Sequence, residues 1–109
     1  MTLSTHVLDA VTGRPARGLA LTLERRDDHW RVLGHGATDA DGRCRDLLPG
    51  ELEPATYRLT FDTGSWFAAA GVEAFYPEVS VVFRVTETQR HHHVPLLLSP
   101  FAYSTYRGS

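Results

Sequence analysis

Three consecutive histidines, His91-His92-His93, are the residues of this chain whose types and spacing best suit chemistry. On an extended strand, side chains at i and i+2 point the same way, so His91 and His93 share a face and His92 points opposite. An imidazole titrates near neutrality, and two aimed into one site serve as acid and base or as metal ligands. A zinc centre needs a third ligand, and His6 is the natural nominee. A solvent-facing polar stretch has the same spacing. All three readings are open on these residues alone.

Arg43 is the second candidate, because it directly follows the tight-turn signal Asp39-Ala40-Asp41-Gly42. A guanidinium on a fixed backbone can bind a carboxylate or stabilise an oxyanion, whereas a solvated surface arginine is the plainer role for any one of eleven. Asp9, Asp39, Asp41 and Asp46 read as turn residues, and Cys44 as a small buried hydrophobe. Neither a Gly-x-Ser-x-Gly elbow nor a phosphate-cradling glycine loop occurs. The stretch from Tyr103 to Ser109 holds two tyrosines, three hydroxyl residues and an arginine, polar groups that need partners if buried.

The elements that must position these groups are strands. Segments of alternating polarity recur about every ten residues, separated by Gly, Pro and Asp clusters, as in an antiparallel sandwich or barrel. Ser4 to Asp9 reads as the first strand, followed by the Leu19-Leu21-Leu23 alternation, Trp30 to Gly36, and a short strand opening at Arg43. Tyr57, Leu59 and Phe61 alternate next, and Val79, Val81, Phe83 and Val85 form the clearest core stripe. His91 to Ser99 and Phe101 to Arg107 supply the last two strands. Pro95 has no N–H for a ladder, which predicts an edge, a bulge or a cavity wall at that position. One short helix is expected over Ser65 to Ala70, with Thr63-Gly64-Ser65 as candidate caps and Gly71 as its stop.

With 109 residues, the chain is expected to be a single domain spanning 1–109. Its 11 basic and 13 acidic side chains give a net charge of −2, without the clustered basic excess of a nucleic-acid binder. Apolar runs are far shorter than the roughly 20 residues of a bilayer span, and no signal peptide is visible, so a cytoplasmic protein is expected. One cysteine excludes an intrachain disulfide. Lys, Asn and Ile are absent, which excludes Schiff-base lysine chemistry and suggests a GC-rich, bacterial genome.

These residues carry a resemblance. His91 to Ser109, His-His-His-Val-Pro-Leu-Leu-Leu-Ser-Pro-Phe-Ala-Tyr-Ser-Thr-Tyr-Arg-Gly-Ser, resembles the C-terminal signature of the transthyretin-related 5-hydroxyisourate hydrolases. Leu3 to Asp9, Thr12-Gly13-x-Pro15, Thr38 to Arg43 and Phe61 to Pro77 match the same family in order and spacing. The terminal Tyr106-Arg107-Gly108-Ser109 separates the hydrolases from the hormone-carrying transthyretins of the same fold.

The resemblance implies an all-β, transthyretin-like sandwich of two four-stranded sheets with one short helix. It implies a homotetramer, a dimer of dimers, with sites in a channel between dimers that need no metal or other cofactor. The family reaction opens the ring of 5-hydroxyisourate to 2-oxo-4-hydroxy-4-carboxy-5-ureidoimidazoline in urate breakdown. Carried over, His6, Arg43, His93 and Ser109 match catalytic positions and Tyr106 a substrate-contacting one, with His6 and Arg43 also binding substrate and His91 a second-rank site residue. His92 departs from the usual aromatic of His-Tyr-His, on a face pointing away from His91 and His93. The rival readings are a transthyretin-like binding module without catalysis and a zinc-dependent cyclic amidohydrolase built on His6, His91 and His93.

Overall fold

Alternation with a period of two sorts this chain into layers, one set of side chains facing inward and the other facing water. The computed structural model describes residues 2–45, 47, 48, 50–87 and 90–108. Its elements are β1 (Leu3–Asp9), β2 (Ala20–Arg26), β3 (Trp30–Ala37), β4 (Arg43–Cys44), β5 (Ala55–Phe61), α1 (Thr63–Ala69), β6 (Val79–Val85), β7 (His92–Leu98) and β8 (Tyr103–Thr105). They build two four-stranded sheets, ordered β4-β1-β7-β8 and β3-β2-β5-β6. This is the sandwich with one short helix that the sequence implied.

The core lies between the sheets. Leu21 and Leu23 of β2, Tyr57, Leu59 and Phe61 of β5, and Val79 and Val85 of β6 are buried with Leu3 and Val7 of β1 and Val94, Leu96 and Leu98 of β7. Val81 and Phe83 continue the β6 stripe half-buried, at the margin of the core. On the outer side of the second sheet, Arg58 makes two 2.9 Å bonds to the Glu24 carboxylate and stacks over Trp30. Among the described residues, no helix is long and apolar enough to cross a membrane.

Three details depart from the sequence expectation. The helix starts at Thr63 because Asp62 is its cap, its side chain accepting from the Ser65 N–H. β8 covers only Tyr103–Thr105: Ser99 and Ala102 close a turn before it, and its pairing with β7 stops at Leu96–Thr105. Pro95 lies in an interior strand, between β1 and β8. Leu96 pairs with Thr105 and His93 with Gly108 in one continuous register, yet no pairing forms opposite Pro95. Its missing N–H would fall on that side, and its carbonyl instead accepts from Thr105 Oγ1 at 2.7 Å. The expected irregularity is thus a gap in a ladder, which frees Tyr106 and Arg107 from the sheet.

Candidate active site

Strand parity decides what the outer face of the first sheet carries. Leu3 and Val7 turn inward from β1, Cys44 from β4, and Val94 and Leu96 from β7. Ser4, His6, Arg43 and His93 therefore point outward. His6 pairs with Arg43 on one side and with Pro95 on the other, and Ser4 pairs with His93. Arg43, His6 and His93 thus occupy three adjacent strands, within about 10 Å of sheet width at the usual strand spacing.

The backbone before Arg43 is tightly held. Asp39 Oδ1 accepts from the N–H groups of Asp41 at 2.8 Å and Arg43 at 3.0 Å. The Arg43 N–H, assisted by that of Asp41, holds the Asp39 carboxyl below the usual carboxylate range. Gly42 has φ of +76°, and a Cβ there would collide with the carbonyl oxygen of Val7. Gly42→Ala is therefore expected to lower stability by about 1–3 kcal/mol, read as a lower urea midpoint, through strain at a position only glycine tolerates. Among the described residues the Arg43 side chain has no carboxylate partner, which leaves its guanidinium available to a ligand.

His6 and His93 each have one ring nitrogen committed, and His91 has both. His6 Nε2 donates to the Asp41 carbonyl at 2.9 Å, so the neutral ring keeps its lone pair on Nδ1. His93 Nδ1 lies 2.8 Å from Ser4 Oγ, leaving Nε2 without a protein partner among the described residues. Burial holds the His93 pKa below its ordinary value of 6.5, with His91, Arg43 and His6 adding repulsion, which favours the neutral ring. His91 is exposed and stacks 6.3 Å from His93, bonded through Nε2 to Ser4 Oγ at 2.8 Å and through Nδ1 to Thr2 Oγ1. His92 sits apart from this pair, its Nδ1 bonded to the Arg90 carbonyl at 3.1 Å, and burial lowers its pKa too.

Tyr106 is exposed and borders a cavity of about 410 Å³ with His93 and Arg107, and Arg43 borders a second of about 330 Å³ with His35 and Asp39. Neither includes His6. Ser109, and Asp46 among the turn residues, lie outside the described residues. Among those described, no three His, Cys, Asp or Glu side chains converge as metal ligands, so His6, His91 and His93 do not form the zinc set considered from sequence.

Sequence reasoning missed Ser4, Thr2 and Gly108. Ser4 was accessible in principle, since it shares the parity of His6 on β1. Gly108 was not: only the pairing across β7 shows it packed on the His93 ring. Its N–H donates to the His93 carbonyl at 2.8 Å, and a Cβ on it would lie 2.5 Å from His93 Cδ2.

Known proteins carry the same arrangement of chain. A model of the HIUase/Transthyretin family matches residues 3–108. A mouse 5-hydroxyisourate hydrolase is 50% identical over 98% of this chain and 94% of its own. The structure of Klebsiella pneumoniae 5-hydroxyisourate hydrolase superposes with a TM-score of 0.89 at 39% identity over the whole of both chains. Sea bream transthyretin in complex with thyroxine reaches a TM-score of 0.92 at 34% identity, covering 97% of this chain and 93% of its own. Agreement of sequence and architecture over nearly the full length places this chain in the HIUase/Transthyretin family.

Proposed function

We propose that this protein hydrolyses 5-hydroxyisourate to 2-oxo-4-hydroxy-4-carboxy-5-ureidoimidazoline. The observation that carries this reading is the outward placement of Arg43, His6 and His93 on three adjacent strands. The 50% identity to a 5-hydroxyisourate hydrolase supports the choice of substrate.

In this reading His93 takes the proton of a water through its bare Nε2, and the water oxygen attacks the ring carbonyl. The C–N bond then breaks, the carbonyl carbon becomes a carboxyl group, and the leaving nitrogen takes the proton from the imidazolium. His6, with its lone pair on Nδ1, accepts a hydrogen bond from water or substrate. Arg43 holds the charge developing on the carbonyl oxygen, a role that suits a guanidinium with no carboxylate partner among the described residues. Tyr106 contacts the substrate and Ser109 helps orient it, roles carried by the family resemblance. The chain acts as one domain within a homotetramer, in which other copies close over the open face bearing His6. No step calls for a metal.

The testing experiment generates 5-hydroxyisourate from urate with urate oxidase and follows its ultraviolet decay, with and without this protein and with chelator. Rapid, chelator-insensitive decay is expected. Decay abolished by chelator would favour a zinc hydrolase. No acceleration by folded protein would leave a transthyretin-like binding module.

A further inference from the structure

The hydroxyls of Thr2, just before β1, and of Ser4, on its outer face, do more than decorate the surface. Ser4 Oγ stands 2.8 Å from Nδ1 of His93 and 2.8 Å from Nε2 of His91, and Thr2 Oγ1 bonds the far nitrogen of His91. A serine hydroxyl has a single proton, so it can donate to only one of the two rings. The other ring must then donate to it.

We propose that Ser4 is a positioning residue that ties the tautomer of His93 to the protonation state of His91, so that His93 becomes a base only when His91 is neutral. This rests on the reading of His93 as the group that takes the proton of water. When His91 is a cation, both its nitrogens donate, Nδ1 to Thr2 and Nε2 to Ser4. Ser4 must then donate to Nδ1 of His93, and neutral His93 carries its proton on Nε2, with no lone pair facing water. When His91 loses the Nε2 proton, Ser4 turns to donate to that nitrogen. His93 then donates from Nδ1, and its Nε2 becomes the bare, basic nitrogen. One proton leaves the exposed His91 for solvent and two hydrogen bonds reverse. Among the described residues, the charged and titratable groups facing His93 are His91, His6 from β1 and Arg43 from β4, with Arg107 of the C-terminal segment bordering the same cavity. Both bonds of Ser4 Oγ are part-buried, a setting in which a hydrogen bond is electrostatically stronger than in bulk water.

The test reads the His93 tautomer directly by nitrogen NMR on the full chain labelled at histidine, without substrate, across the titration of His91. In the wild type, His93 is expected to pass from the Nε2–H to the Nδ1–H form as His91 deprotonates. In Ser4→Ala, and in His91→Ala at an exposed position that leaves the fold intact, the His93 tautomer is expected not to follow that titration. The acid limb of kcat/KM should then be less steep by one proton, with kcat at neutral pH about tenfold lower in Ser4→Ala and KM little changed. A His93 tautomer with the same pH dependence in all three proteins would overturn the proposal. Failure of the wild type to open 5-hydroxyisourate would instead strike the proposed activity, and the tautomer measurement would still decide the coupling.

Discussion

Arg43→Ala is expected to lower kcat/KM for 5-hydroxyisourate by roughly 10²- to 10³-fold, the range seen when one stabiliser of a developing oxyanion is removed. Its thermal midpoint should barely move, because no described carboxylate is paired with the guanidinium and nothing is left unpaired by its loss. The pH profile supplies an independent sign. Arg43 is one of the charges holding the His93 pKa below 6.5, so its removal lets that pKa rise. Activity is lost as pH falls through this value, and the acid limb should therefore move to higher pH in Arg43→Ala. Arg43→Lys should return the limb towards its wild-type place, since a point charge suffices, but recover only part of the rate, since the two-pronged guanidinium is gone. A wild-type rate in Arg43→Ala would remove this residue from the mechanism.

Gly108→Ala is the second large effect. The added methyl would start 2.5 Å from Cδ2 and 3.0 Å from Cγ of His93, within a buried position where Gly108 is bonded to the His93 backbone. Either the ring turns away, losing its 2.8 Å bond to Ser4, or the C-terminal segment lifts from β7. Both displace the groups proposed to react by about 1 Å, and such misplacement typically costs about 10²-fold in rate. Gly50→Ala is the control, because an added Cβ there meets nothing within 4 Å. A fully active Gly108→Ala protein would show that the His93 ring orientation does not limit the reaction. The glycine of the Tyr-Arg-Gly-Ser signature thus has a steric reason to be glycine.

What could be read without coordinates was whatever depends on local period. The alternations of β2, β5, β6 and β7 identified inward and outward faces, including the separation of His92 from His91 and His93, because side-chain direction on a strand is fixed by its neighbours in sequence. The outward face of His6, Arg43 and His93 follows from the same rule once the strands are adjacent. Adjacency itself was not local information. It came from the family resemblance, and the structure adds the register that sets Ser4 beside His93. Helix capping by Asp62 was missed because Thr63, Gly64 and Ser65 are all plausible caps, and only geometry chooses among them. The shortness of β8 depends on what Pro95 cannot offer across the ladder, which no window confined to residues 101–107 contains.

The parallel pairing of β1 with β7 also has a consequence for synthesis. Leu3 meets His92 and Asp9 meets Leu98, partners separated by 89 residues of sequence. Contacts this distant must wait for the intervening chain and carry a high loop-closure cost, which slows folding. At about 5–20 residues per second, β1 spends roughly 4–18 s on the ribosome before its partner has been made. During that interval the hairpin of β2 and β3, and then β5 and β6, can assemble by neighbouring antiparallel contacts. The strand that bears His6 is made first and docked late, so the outward group of Arg43, His6 and His93 is assembled only with the closing of the first sheet. A nascent chain stalled before β7 would carry half of a sandwich, with His6 lacking the neighbour that brings His93 beside it.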